Sequence, residues 1–346
     1  MRRKLYIPLL AVIAIVCLLL YRHSMDNGQR TTVIGQRSMF KDEGTIFGTL
    51  YHAKYLYDKD LKAEIEAELQ EVDASLSMFN PKSTISRINR NETDEADEML
   101  AEVLRLSFAV NKATGGAFDP TVAPLVNAWG FGFKSGQLPD SIQVDSLLAL
   151  VGLSHIHLQD GRLTKDNPLS ILDFSAIAKG YGVDRAAKVL RSHGIKDFMV
   201  EIGGEVVTEG VNEKGEAWRI GINKPDDDST STNTELQDII SLSGKAIATS
   251  GNYRNFYISD GRKIAHTINP RTGYPAQQDI LSSTVLAPTC AEADAFATAF
   301  MVLGMEGARQ VLKSQPQLEA YFIYSDEQGN YQTWKTEGIV QLIIDN

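Results

Sequence analysis

The sequence predicts an α+β fold, with mixed and antiparallel sheets packed with helices, preceded by an apolar N-terminal helix that serves as a membrane anchor. Three observations carry this expectation. Stretches of period-two alternation and stretches of helical spacing succeed one another without the regular βαβ order that a parallel sheet needs. The dipeptide Asp260-Gly261 stands between two short strand-like runs, a strong hairpin signal. The chain has 346 residues, 43% of them apolar, enough to bury a sizeable core.

The elements follow in order. Over 44–57, Thr45, Phe47, Thr49, Tyr51, Ala53, Tyr55 and Tyr57 alternate with other residues, the pattern of a strand. Leu61, Ile65, Leu69, Val72 and Leu76 make 58–77 a helix, with Asp58 or Asp60 placed to cap it. Met99, Val103, Leu106 and Val110 give another over 95–113, stopped by Thr114-Gly115-Gly116. Short helices are expected over 120–129 and 141–150, and strands over 155–158, 162–165 and 169–174. The stretch 176–193 reads as a helix ended by Gly194. Strands then fit 197–202, 206–209 and 218–223, with a polar loop over 224–234 before two more at 239–242 and 245–249. The hairpin arms span 255–259 and 262–266. A strand over 280–287, helices over 290–303 and 306–313, and a closing hairpin of 320–324 with 331–335 complete the chain.

Composition excludes some functions. A net charge of −10, with no basic stripe beyond the extreme N-terminus, argues against nucleic acid, whose binding needs clustered Lys and Arg. Only two cysteines are present, Cys17 and Cys290, so neither a disulfide framework in the soluble part nor a Cys-x-x-Cys site exists. Arg2, Arg3 and Lys4 precede an apolar run from Leu5 to Leu20, a basic flank followed by a hydrophobic segment. That run predicts an uncleaved signal anchor over 1–22, with the remainder exported. Residues 23–42 then form a polar tether, and 43–346 one folded domain.

The chemistry concentrates in a few places. His266 opens His266-Thr-Ile-Asn-Pro-Arg-Thr-Gly273, where Asn269-Pro270 and Gly273 fix the backbone in a turn. Its neutral imidazole can take a proton near neutral pH. Asp294 and Thr298 are spaced i, i+4, which on a helix puts both oxygens on one face. Such hard donors suit Mg²⁺. Asp173-Phe-Ser-Ala-Ile-Ala-Lys-Gly180 runs from a strand end into a helix, where free N–H groups and Lys179 favour a phosphate. Phe47, Phe79 and Phe118 can stack on a planar ring or fill a core. Asp119 adds a carboxylate beside a turn, and Gly203-Gly204 allows close backbone approach. His155 and His157 share one strand face, a weak metal signal by themselves.

Taken together, these pieces resemble the ApbE family of FAD:protein FMN transferases. The likeness rests on Phe79-Asn-Pro-Lys-Ser-Thr-Ile-Ser-Arg-Ile-Asn89, Gly116-Ala-Phe-Asp-Pro-Thr-Val-Ala-Pro-Leu125 and Asn127-Ala-Trp-Gly-Phe-Gly132. Asp173 to Tyr181, Val200-Glu-Ile-Gly-Gly204, Ala248-Thr-Ser-Gly-Asn-Tyr-Arg254, the His266 stretch and Asp294-Ala-Phe-Ala-Thr298 follow in family order. The resemblance implies a T-fold-like architecture acting outside the cytoplasmic membrane. It implies Mg²⁺-dependent transfer of FMN from FAD to a threonine or serine hydroxyl of a target flavoprotein, through a phosphoester, with AMP leaving. Targets of this family include subunits of the Na⁺-translocating quinone reductase and Rnf type. FAD would meet Phe47, Phe79, Ala117, Phe118, Asp119, Asp173, Lys179 and Ile268. The metal would meet the Ala176 carbonyl, Asp294 and Thr298, and His266 matches the base. Two other activities would use the same residues: Mg²⁺-dependent FAD hydrolysis to FMN and AMP, or storage of FAD without chemistry.

Overall fold

The computed structural model of the chain describes residues 38–131, 138–225, 235–252, 256–259, 262–326, 328 and 330–344. The segment read as a signal anchor, 1–22, lies outside the described residues, as does the tether up to residue 37. No described helix is long and apolar enough to cross a membrane. The described residues of Met39–Leu56 and Asp60–Asn346 form one compact body. The body holds the architecture that follows.

Two strands, β1 (Ser38–Ile46) and β2 (Thr49–Tyr57), replace the one expected over 44–57, and β1 takes in residues 38–42 of the expected tether. Between them Phe47 and Gly48 both have positive φ, 51° and 75°, as a two-residue type I′ hairpin requires. A two-residue turn preserves parity, so the alternation reads straight through it. In α1 (Lys62–Leu76) the periodic residues Ile65, Leu69, Val72 and Leu76 are buried. The expected aspartate cap is absent: Leu61 holds the cap position without a side-chain bond, and Asp60 accepts the Lys62 amide at 2.8 Å. The short α2 (Thr84–Asn89), too brief for periodicity to reveal, starts where the Ser83 side chain accepts the Ser86 amide. Asp97 caps α3 (Glu98–Ala113) in the same way.

A 3₁₀ turn at Pro120–Val122 leads into α4 (Ala123–Ala128), and a capping box of Asp140 and Gln143 starts α5 (Ser141–Leu148). Strands β3 (Ile156–Gln159) and β4 (Arg162–Lys165) form a hairpin. The strand expected over 169–174 is not formed. At Leu172 a side chain takes the place of a partner strand: Asn89 donates to the Leu172 carbonyl at 2.8 Å and accepts the Leu172 amide at 2.9 Å. Helix α6 (Ala178–Ser192) follows and ends before Gly194.

The rest of the chain supplies β5 (Phe198–Ile202), β6 (Glu205–Glu209), β7 (Trp218–Asn223), β8 (Leu236–Leu242), β9 (Ala246–Gly251), β10 (Phe256–Ser259), β11 (Arg262–Ala265) and β12 (Ile280–Ala287). After them come α7 (Cys290–Ser314), β13 (Glu319–Ser325), β14 (Tyr331–Lys335), α8 (Glu337–Val340) and β15 (Ile343–Ile344). Among the described residues, eight strands form one sheet in the order β1-β2-β5-β6-β9-β12-β13-β14. A second sheet has the order β15-β8-β7. The pairings within both sheets for which register is resolved are antiparallel.

Alternation along the strands splits the core into two layers. Ala320 and Phe322 of β13 face the helices, with Phe296 and Phe300 of α7. Tyr321 and Ile323 face the other way, onto Ile240 and Leu242 of β8. The two helices expected over 290–303 and 306–313 are both formed, as the halves of α7 on either side of a kink at Gly304, whose φ of 68° and ψ of −179° are not helical. The Asp279 carboxylate accepts the Met305 amide at 3.0 Å and so caps the second half.

Candidate active site

Two adjoining chambers, of about 550 Å³ and about 460 Å³, share part of their lining. Phe47, Phe79 and Phe131 line the larger, mainly apolar one. The smaller is lined by Ala117, Phe118, Asp119, Ala176, Ile268, Asp294 and Thr298. His266, Lys179, Asp173, Ser175 and Val126 line both, and so form the common wall. Every residue that the family resemblance assigns to FAD, metal or base lines one chamber or the other. Phe79 stands at the rim, 70% exposed.

The smaller chamber holds the strongest electrostatics. Helix α6 begins without a side-chain cap at Ile177, and its first turn packs on the start of α7. There the Gly180 amide donates to Asp294 Oδ2 at 3.1 Å. Asp294 and Thr298 share a face of α7, as their spacing predicts, and Thr298 Oγ1 lies 3.0 Å from Ser250 Oγ of β9. Lys179 Nζ donates to Glu205 Oε1 at 2.7 Å and stands 3.8 Å from Asp294 Oδ2. Glu205 is 3% exposed, and its Oε2 has no hydrogen-bond partner. Burial pushes the Glu205 carboxyl up, against the pull of Lys179. Burial also works against the Lys179 ammonium, but Asp294 and Glu205 outweigh it and hold the lysine above its ordinary range.

His266 follows β11 and opens the predicted turn. Asn269 accepts the Gly273 amide at its carbonyl, 2.8 Å, and the Arg271 amide at its side chain, 2.9 Å. Trp129 Nε1 donates to the Gly273 carbonyl at 2.8 Å, tying the loop to the end of α4. The imidazole sits edge-on to Phe131, with ring centroids 6.3 Å apart. The loop therefore holds a half-buried base on the common wall.

The two aspartates play different parts. Burial raises the Asp119 carboxyl, against several hydrogen bonds that lower it. Its oxygens accept from Thr121 N, Thr121 Oγ1, Leu153 N and Asn111 Nδ2, at 2.9, 2.6, 3.0 and 3.2 Å. That carboxylate is committed to shaping the wall. Burial likewise raises Asp173, whose Oδ1 accepts from the Ser175 amide and hydroxyl at 2.8 and 2.5 Å. The histidine pair lies elsewhere: His155 and His157 both reach the exposed Asp166, at 3.2 and 2.8 Å. Among the described residues no group of three or more His, Cys, Asp or Glu side chains is placed to hold a metal.

Sequence reasoning missed Glu205, Ser175 and Ser250. Glu205 directly follows the Gly203-Gly204 pair, and its acidity after a tight turn was the available signal. Ser175 and Ser250 lie inside quoted motifs but carry no distinguishing spacing.

A sequence model described as the ApbE family matches residues 47–322. The FAD:protein FMN transferase of Vibrio cholerae is 38% identical over 299 residues, covering 83% of this chain and 87% of that protein. The FAD:protein FMN transferase of Escherichia coli K12 is 34% identical over 316 residues, covering 87% and 88%. Among solved structures, the flavin transferase ApbE from Vibrio cholerae superposes with a TM-score of 0.80 at 34% identity, covering 88% of this chain and 99% of that one. The apo flavinyl transferase ApbE of Pseudomonas stutzeri gives 0.79 at 31% identity, covering 89% and 98%.

Proposed function

Since the chain belongs to the ApbE family, we propose that it moves the FMN half of FAD onto a threonine or serine hydroxyl of a target flavoprotein and releases AMP. The observation that carries this reading is the wall common to two chambers. A dinucleotide has two ends joined by a diphosphate, and a base and a lysine stand where the chambers meet.

The donor set fits a hard divalent cation: Ala176, with its carbonyl, Asp294, with its carboxylate, and Thr298, with its hydroxyl, all line one chamber, which Glu205, with a buried oxygen that has no partner, also lines. Those three residues would hold Mg²⁺, which when bound supplies charge neutralisation on the diphosphate. His266 takes the proton from the acceptor hydroxyl. The hydroxyl oxygen bonds to the FMN-side phosphorus, the bond from that phosphorus to the bridging oxygen breaks, and AMP departs with the electron pair. Lys179 places a fixed positive charge on the wall where negative charge collects. Phe47 and Phe79 offer aromatic surface to the planar ring.

The acceptors proposed are flavoprotein subunits of membrane redox pumps, of the Na⁺-translocating quinone reductase and Rnf type. The apolar run over 1–22 would hold the chain in the cytoplasmic membrane, with the body on the extracytoplasmic side. The test mixes the protein with FAD, Mg²⁺ and a candidate acceptor, and looks for flavin fluorescence that survives denaturing electrophoresis. A fluorescent acceptor band is expected. Free FMN without a band would replace transfer by hydrolysis, and unchanged FAD would leave only storage.

A further inference from the structure

Among the described residues three buried side-chain oxygens lack a hydrogen-bond partner, those of Glu205, Ser282 and Ser283, and only Glu205 is ionisable. It begins β6 immediately after the Gly203-Gly204 turn, is 3% exposed, and faces the smaller chamber. One oxygen accepts from Lys179 Nζ at 2.7 Å; the other has no partner. A buried acceptor left empty costs stability, and an apolar residue of the same length would avoid that cost. The carboxylate must therefore serve something other than the core.

The geometry around Lys179 shows what that is. Its ammonium stands between two carboxylates: it donates a hydrogen bond to Glu205 at 2.7 Å and pairs with Asp294 Oδ2 only at 3.8 Å, beyond hydrogen-bond reach. Lysine is a compact charge on a flexible four-carbon stem, so its position is set by whichever anion holds it. Without Glu205, Asp294 is the remaining carboxylate, and the ammonium would close on it. That would neutralise the oxygen wanted by a divalent cation and draw the lysine off the common wall.

We propose that Glu205 is a positioning residue, which takes the Lys179 hydrogen bond and so holds the ammonium 3.8 Å from Asp294, short of a direct hydrogen bond, leaving that carboxylate open to a divalent cation. The inference rests on the transferase reading only for the meaning of the cation; the competition itself is a property of three side chains. Glu205 acts through Lys179, and its effect vanishes when the lysine is absent.

The test measures cation affinity directly, by titrating the full-length protein with Mn²⁺ and following loss of the free-ion electron paramagnetic resonance signal. Glu205→Met keeps the length and removes both oxygens; Glu205→Gln keeps one acceptor and removes the charge. Glu205→Met is expected to weaken Mn²⁺ binding at least tenfold, with Glu205→Gln lying between it and the wild type. In a Lys179→Met background the same changes should alter binding less than twofold, and Lys179→Met alone should tighten it. Equal weakening with and without the lysine would overturn the inference, since Glu205 would then be a ligand or a structural group. Unchanged binding in Glu205→Met would overturn it as well. If Glu205→Met does not fold, the Glu205→Gln pair with and without Lys179 decides alone. Flavin transfer to an acceptor is scored separately: coupling without transfer sinks the functional reading alone, and transfer without coupling sinks this inference alone.

Discussion

The amide of Gly180 donates to Oδ2 of Asp294 at 3.1 Å, joining the first turn of α6 to the second turn of α7. Such closeness is possible only because residue 180 has no side chain. A Cβ there would stand 2.3 Å from the Cys290 carbonyl oxygen and 2.6 Å from its carbon, and backbone cannot step aside cheaply. Gly180→Ala should therefore cost about 1–3 kcal/mol through overpacking, read as a lower urea midpoint. A variant as stable as the parent would show that the two helices are not locked together.

Asp294 has a second duty in the proposed chemistry. Asp294→Asn keeps an acceptor for the Gly180 amide and should stay folded, but it gives up the negative charge. The Mg²⁺ concentration for half-maximal flavin transfer should rise at least tenfold, as expected when an anionic oxygen ligand is lost. An unchanged Mg²⁺ dependence would remove Asp294 from the metal site.

His266 offers a cleaner separation of binding from turnover. His266→Ala should lower the rate of flavin transfer by about 10²–10⁴-fold, the usual range for loss of a positioned base. FAD binding, followed by quenching of flavin fluorescence, should stay within a few fold. Full transfer by the variant would mean that another group takes the proton.

Asp184 supplies a pH signature away from the chambers. Burial pushes its carboxyl from 3.8 up to about 6, although it accepts the Cys290 and Ala291 amides at 2.9 Å each. The folded chain keeps this proton where the unfolded chain has released it. Its contribution to stability is therefore greatest below about pH 4 and falls as pH rises towards 6, by up to about 1.4 kcal/mol per unit. Urea unfolding of the wild type and Asp184→Asn should give a stability difference that moves against the wild type over that window. A difference independent of pH would place the Asp184 titration outside the folding equilibrium.

What the sequence disclosed, and what it hid, has physical causes. Long periodic elements such as α1, α3 and α6 were legible because each buries one stripe. Asp294 and Thr298 could be put on one face by spacing alone, and the His266 turn announced itself through Asn, Pro and Gly. The hairpin at Phe47-Gly48 was hidden because its two residues preserve alternation. The segment before Asp173 resembled a strand because Leu169, Ile171 and Leu172 are apolar, yet its partner is a side chain, Asn89, more than eighty residues earlier. Glu205 could not be weighed from sequence, since its meaning depends on Lys179 arriving from another element.

The two chambers draw their walls from Phe47 at one end of the body to Thr298 near the other. A ribosome that has released only the first 290 residues has made neither oxygen of the α7 pair, and a fragment starting after β2 lacks the aromatic lip at Phe47. Nucleotide capture is thus a late event in the life of each copy. Retained yellow colour on a purified preparation would count chains that keep both ends of the lining, and a product that lacks either Phe47 or Asp294 should emerge colourless however much of the large sheet it still contains.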